Sequence, residues 1–194
     1  MARGRSLTVG GGHGRKSRTA SMLDRVDAMR DLVNYTTADE RRVRATREVI
    51  LEQADWIAED VYQHLLSHPE TAVHFTRPDG QIDQEQLDTR RHTLREWLVT
   101  AIEAPLDESS ANHLASVGLA HTGRGSRAHG RVQGRFLLAT MSYVQTALID
   151  LFNSSIADRS ELLSTIAAWG KLLTIHLDMF LAVYSSSEGT PKWY

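Results

Sequence analysis

The sequence contains no cysteine. That excludes disulfides, iron–sulfur clusters, thiolate ligation of a metal and a cysteine nucleophile together. Proline occurs only four times in 194 residues, and there is no convincing run of period-two alternation, so little argues for strands. No uninterrupted apolar run approaches the roughly 18 residues of a membrane span. The N-terminus lacks the apolar core of a signal peptide, so the expectation is a cytoplasmic protein that does not engage a membrane. The formal net charge of −2 gives no global reason to expect a nucleic-acid partner. No Ser-His-Asp arrangement, phosphate loop or paired-carboxylate motif stands out. Gly123-Arg124-Gly125 lacks the preceding strand that a dinucleotide fingerprint requires.

What remains is helical. Residues 1–21 stand apart, with Gly10-Gly11-Gly12, scattered arginines and almost no apolar side chains. Such a segment cannot bury enough surface to offset its ordering entropy and reads as a disordered tail ahead of one domain over residues 22–194. Its basic charge is of the kind that is commonly only solubilising. A short helix is expected over Leu23–Val33. Thr37-Ala38-Asp39-Glu40 has the capping-box pattern, and a helical stripe follows through Val43, Ile50, Ala54, Ile57, Val61 and Leu65. His68-Pro69 should stop that helix, and Pro78-Asp79-Gly80 is a turn. Further helices are expected over about Asp83–Ala104, Glu108–Thr122 and His129–Asn153. Another starts after an Asp158 cap and carries Leu162, Ile166, Trp169, Leu173, His176, Met179, Phe180 and Val183. Six or more helices of mixed length, with two long ones last, fit a globin better than a symmetric bundle.

Most of the nine histidines need no function. His121 differs through its context. Leu114, Val117, Gly118 and His121 share a helix face that is apolar, small beside the histidine, and ends in an imidazole. A flat macrocycle needs aliphatic contact, little bulk at the preceding turn and one nitrogen for iron. A structural histidine on an apolar face fits these residues as well, and His176, on its own apolar stripe, is the main rival ligand. His113 lies about 80° around the helix from His121 and should point elsewhere.

Val117-Gly118-Leu119-Ala120-His121-Thr122 resembles the proximal segment of protoglobins, an Ile/Val-Gly-Leu-x-His pattern. His68-Pro69 and His74-Phe75-Thr76-Arg77-Pro78-Asp79-Gly80 resemble the family's segment between its distal helices. Tyr62 matches the distal tyrosine of protoglobins and many globin-coupled sensors. Trp97 matches a tryptophan on the helix crossing the distal face, and the helix before the capping box resembles the family's N-terminal extension. Leu94 and Val61 stand where larger aromatics occur in relatives. The resemblance runs from about residue 23 to the C-terminus.

It implies an all-α globin fold with an extra N-terminal helix and a b-type haem whose iron is held by His121. O2, CO and NO are the implied ligands, in a carrier, scavenger or sensor. Tyr62 would donate to bound dioxygen, and Phe75, Leu94 and Leu98 would form the apolar distal wall, with Val117 and Gly118 against the macrocycle. Arg124, Arg127 and Arg131 are candidates for the haem propionates. Two alternatives are a haem enzyme acting on NO with O2 or on nitrite, and a haem-free globin-like signalling module. With no output domain in the sequence, sensing would need a separate signalling partner. Residues 129–153 are apolar on more than one face, which implies a homodimer through the last two helices, with Trp169 and Leu172 supplying partner surface. The alternative is that the N-terminal helix covers that patch.

Overall fold

Five helices start where a short polar side chain takes up a free amide. In the computed structural model, which describes residues 21–122 and 132–185, Ser21 caps α1 (Met22–Leu32) in a reciprocal box with Asp24. Ser21 therefore belongs to the fold, and the expected tail at residues 1–20 lies outside the described residues. Thr36 caps α2 (Thr37–Ala45), its hydroxyl accepting from the Asp39 amide while the Asp39 carboxylate accepts from the Thr36 amide. The capping box thus sits one residue earlier than the Thr37-to-Glu40 pattern suggests. Asp39 is buried and also takes the Lys171 ammonium at 3.0 Å, an anchor that fixes the register. Asp83, Asp107 and Asp158 accept amides at the starts of α5 (Gln84–Glu103), α6 (Glu108–His121) and α8 (Arg159–Ser185).

The long helix expected after Thr37 is broken. Thr46 separates α2 from α3 (Arg47–Ser67). Its hydroxyl donates to the Val43 carbonyl at 2.7 Å and accepts from the Trp169 indole at 3.1 Å. A buried threonine that meets both demands offers the backbone an alternative to the helical bond. His68-Pro69 ends α3, as proline requires of the residue before it, and Pro69 opens the short α4 (Pro69–Ala72), which tightens into a single 3-10 turn at Val73–Phe75. Gly80, at φ +83°, closes the turn after Pro78; a side chain there would be strained.

α7 (Gly134–Ser155) and α8 form the C-terminal pair. The expected start of α7 at His129 lies outside the described residues. α8 is the hub, packing against α1, α2, α6 and α7, while α3 lies across α5 and α7. By length and composition α8 would pass as a membrane span. Trp169, Leu172, Leu173, Ile175 and Met179 are instead almost completely buried in the protein. This overturns the expectation that Trp169 and Leu172 form partner surface: Trp169 packs beside Phe152 and hydrogen-bonds Thr46 inside the core. α1 docks mainly on α6 and α8, with Arg25 gripping Asp178 through two 2.6 Å contacts.

The α6–α8 crossing depends on one residue. A Cβ on Gly118 would stand 2.4 Å from the Phe180 carbonyl oxygen. Gly118 is small so that two helices can touch, and its role against a macrocycle, expected from its place on the His121 face, gives way to this one.

Candidate functional site

α6 carries His121 at its last residue. The ring Nδ1 lies 2.8 Å from the Val117 carbonyl oxygen. A carbonyl only accepts, so Nδ1 carries the proton. Burial lowers the imidazole's proton affinity, the Val117 bond opposes this, and the Arg90 charge adds to the lowering. The neutral ring then presents a lone pair at Nε2, for which no described residue provides a hydrogen bond. A histidine used as a metal ligand is held in this way, one nitrogen donating to a carbonyl so that tautomer and ring plane are fixed.

His121 faces a cavity of two lobes that share Tyr62, Arg90, Leu137, Thr140 and His121. One lobe runs under the α4 turn past Leu65, His74, Phe75, Gln86, Ala120 and Phe136. The other reaches Leu94, Trp97, Val117, Met141, Val144 and Phe180. Both are lined mainly by apolar side chains with a few convergent polar groups, the make-up of a cofactor or ligand site. α3 brings Tyr62 to this cavity, where its ring meets Phe75 edge-on at 5.6 Å. Burial raises the phenol to about 12, with Arg90 and Arg91 pulling the other way, so it stays a protonated donor at neutral pH. No described residue accepts from its hydroxyl, although a buried tyrosine normally finds a partner.

Of the residues expected to form the site, His121, Tyr62, Phe75, Leu94 and Val117 line this cavity. Leu98 does not: it is fully buried in the core and faces neither lobe. At i+4 it shares the face bearing Leu94, but one turn further along α5 that face is packed into the core. Gly118 is spent on the α8 crossing. His176 is not part of the cavity wall either. It is buried, with Nδ1 accepting the Trp97 indole proton at 3.1 Å, which makes it a support for a wall residue. His113 is exposed, as its angle on α6 demands. Arg124, Arg127 and Arg131 lie outside the described residues.

Sequence reasoning missed Arg90, Leu137 and Thr140, although all three line both lobes. Arg90 sits one turn before Leu94 on α5, and Leu137, Met141 and Val144 repeat at helical spacing on α7. The periodicity was readable; what it could not show was which of the several apolar faces of α7 met the cavity.

The protein-family model for protoglobins matches residues 22–189. Among solved structures, the fold is similar to the globin domain of the Geobacter sulfurreducens globin-coupled sensor. That likeness has a TM-score of 0.69 at 21% identity and covers 81% of this chain and 96% of that one. It is also similar to the globin domain of E. coli DosC in its ferric form, with a TM-score of 0.62 at 12% identity and coverage of 81% and 98%. The ferrous form gives 0.61 at 10% identity, again over 81% of this chain and 98% of that one. No curated protein sequence matches. Helix order, the α6–α8 crossing and the family match over most of the chain agree: this is a globin fold, and the chain belongs to the protoglobin family.

Proposed function

We propose that this protein binds b-type haem through His121 and uses it to bind a diatomic gas reversibly, with O2, CO and NO as the ligands, in a carrier, scavenger or sensor role. The observation that carries the reading is the His121 imidazole, tied at Nδ1 to Val117, on the same cavity as the Tyr62 hydroxyl, with neither Nε2 nor that hydroxyl partnered among the described residues. The residues fit the group. His121 supplies one neutral nitrogen, and Val117, Leu94, Phe75 and Leu137 supply aliphatic and aromatic walls. When bound, the haem iron supplies a coordination position for the gas. The protein's own contribution is to hold the imidazole plane, exclude water with the apolar walls, and offer the Tyr62 hydroxyl proton to a ligand that carries partial negative charge.

We propose in addition a homodimer through the last two helices. Leu138 on α7 and Leu163 on α8 are 49% and 56% exposed, and Ile149 on α7 is half-buried. These, not Trp169 and Leu172, are the apolar surface for a two-fold partner.

The test is reconstitution. Purified protein given haem should develop a Soret band that shifts on adding CO to the ferrous form and returns on removing it. A protein that takes haem but shows no shift with O2, CO or NO would contradict gas binding.

A further inference from the structure

α5 bears three arginines, Arg90, Arg91 and Arg95. Two are neutralised locally. Arg91 pairs with Glu59 at 2.8 Å and Asp88 at 3.2 Å, and Arg95 with Asp55 at 3.0 Å and Glu96 at 2.5 Å. Arg90 has no ion pair or hydrogen bond among the described residues. It is half-buried and lines both lobes of the cavity beside Tyr62 and His121. Among the described residues no aspartate or glutamate lines either lobe, and the sequence of residues 123–131 contains three further arginines and no acid. Among the described residues the cavity therefore holds a positive charge with no countercharge. Its field is felt at both functional groups, opposing protonation of His121, after burial and the Val117 bond, and easing ionisation of Tyr62, after burial.

Taking a cation partly out of water is unfavourable unless an anion meets it. A guanidinium presents a planar fork of donors that matches a carboxylate or another small oxyanion in two parallel hydrogen bonds. The neighbouring arginines have such partners from the protein; Arg90 lines the cavity with none among the described residues.

We propose that Arg90 is an anion-binding residue of this cavity, its guanidinium receiving either a carboxylate of the bound macrocycle or a small free anion such as azide or nitrite. The macrocycle source rests on the haem reading above; the free-anion source needs only the cavity. In both cases Arg90 is the cavity's electrostatic anchor and Tyr62 its neutral donor, so the two polar groups do different work.

The experiment compares haem-loaded wild type, Arg90→Leu and Arg90→Lys, and adds wild type loaded with haem dimethyl ester. Two quantities are read: the rate of haem transfer to excess apomyoglobin, and the azide affinity of the ferric protein from absorbance. A charged hydrogen bond lost from such a site is expected to change one of them about tenfold or more. If the macrocycle carboxylate is the partner, Arg90→Leu and the ester-loaded wild type both lose haem faster, Arg90→Lys less so, and azide affinity stays level. If a free anion is the partner, azide affinity falls in Arg90→Leu while haem loss does not change. Wild type and Arg90→Leu agreeing within twofold on both readouts overturns the proposal. Should Arg90→Leu fail to fold, the ester-loaded wild type and Arg90→Lys give the same decision. Failure of wild type to take haem at all contradicts the haem reading instead. Arg90 is then judged by anilinonaphthalene sulfonate fluorescence, where equal affinities of wild type and Arg90→Lys or Arg90→Leu overturn the anion site.

Discussion

Replacing His176 by leucine removes a buried titratable ring and, with it, the acceptor of the Trp97 indole proton. The Nδ1–Nε1 distance is 3.1 Å and the residue is 4% exposed. Burial, aided by nearby His113, brings the imidazole down from 6.5 to about 4. Above pH 6.5 neither the folded nor the unfolded chain protonates this ring, so it adds no pH dependence there. As pH falls below 6.5 the unfolded chain takes up the proton first. Stability then drops until the folded pKa is reached near 4 and levels off beneath it. Two and a half pH units at about 1.4 kcal/mol each come to about 3 kcal/mol, a large share of the roughly 5–15 kcal/mol that holds a domain folded. The leucine variant should lose about 1–3 kcal/mol at pH 7.5, where Trp97 keeps its buried N–H without an acceptor. It should also lack this acid slope, so the two stability curves converge or cross by about pH 4. Urea unfolding followed by circular dichroism from pH 7.5 to 4, at equal haem loading, measures both. Parallel curves across that range would refute the buried neutral imidazole.

Three further outcomes are expected. Gly118→Ala should destabilise the fold by about 1–3 kcal/mol in urea, because the new methyl meets the backbone of Phe180 and not a side chain that can yield; an unchanged midpoint would deny the close crossing. Tyr62→Phe should raise the O2 dissociation rate more than that of CO, which carries less charge, and equal changes for both gases would reduce Tyr62 to a packing residue. Ile149→Glu should convert a dimer to a monomer in sedimentation at micromolar concentration, whereas a wild-type monomer there would dismiss the dimer.

The helices were legible because their signals are local. Caps at Asp83, Asp107 and Asp158 and the stop at His68-Pro69 lie within a turn of the boundaries they set. The break at Thr46 was hidden because its cause is the Trp169 indole, 123 residues away. The Thr36 register is likewise confirmed by Lys171 from the far end of the chain. Within the site, His121 and Tyr62 could be singled out by type and context, and they do line one cavity. Leu98 and Gly118 could not be separated from wall residues, since an apolar or small residue reads the same facing a cavity or a neighbouring helix. Trp169 and Leu172 were misplaced for a related reason: a stripe analysis assumes one buried face, and α8 is surrounded by α1, α2, α6 and α7. Arg90 escaped notice because a charge beside apolar residues usually marks the solvent edge of a helix.

The central claim is that His121 supplies the axial nitrogen. Absorbance spectra of haem-reconstituted wild type, His121→Ala and His176→Ala test it most directly. The account predicts that wild type and His176→Ala give the same five-coordinate ferrous Soret spectrum, while His121→Ala loses haem or holds it weakly, with added imidazole restoring the band. A normal ferrous spectrum in His121→Ala, with its loss in His176→Ala, would contradict it.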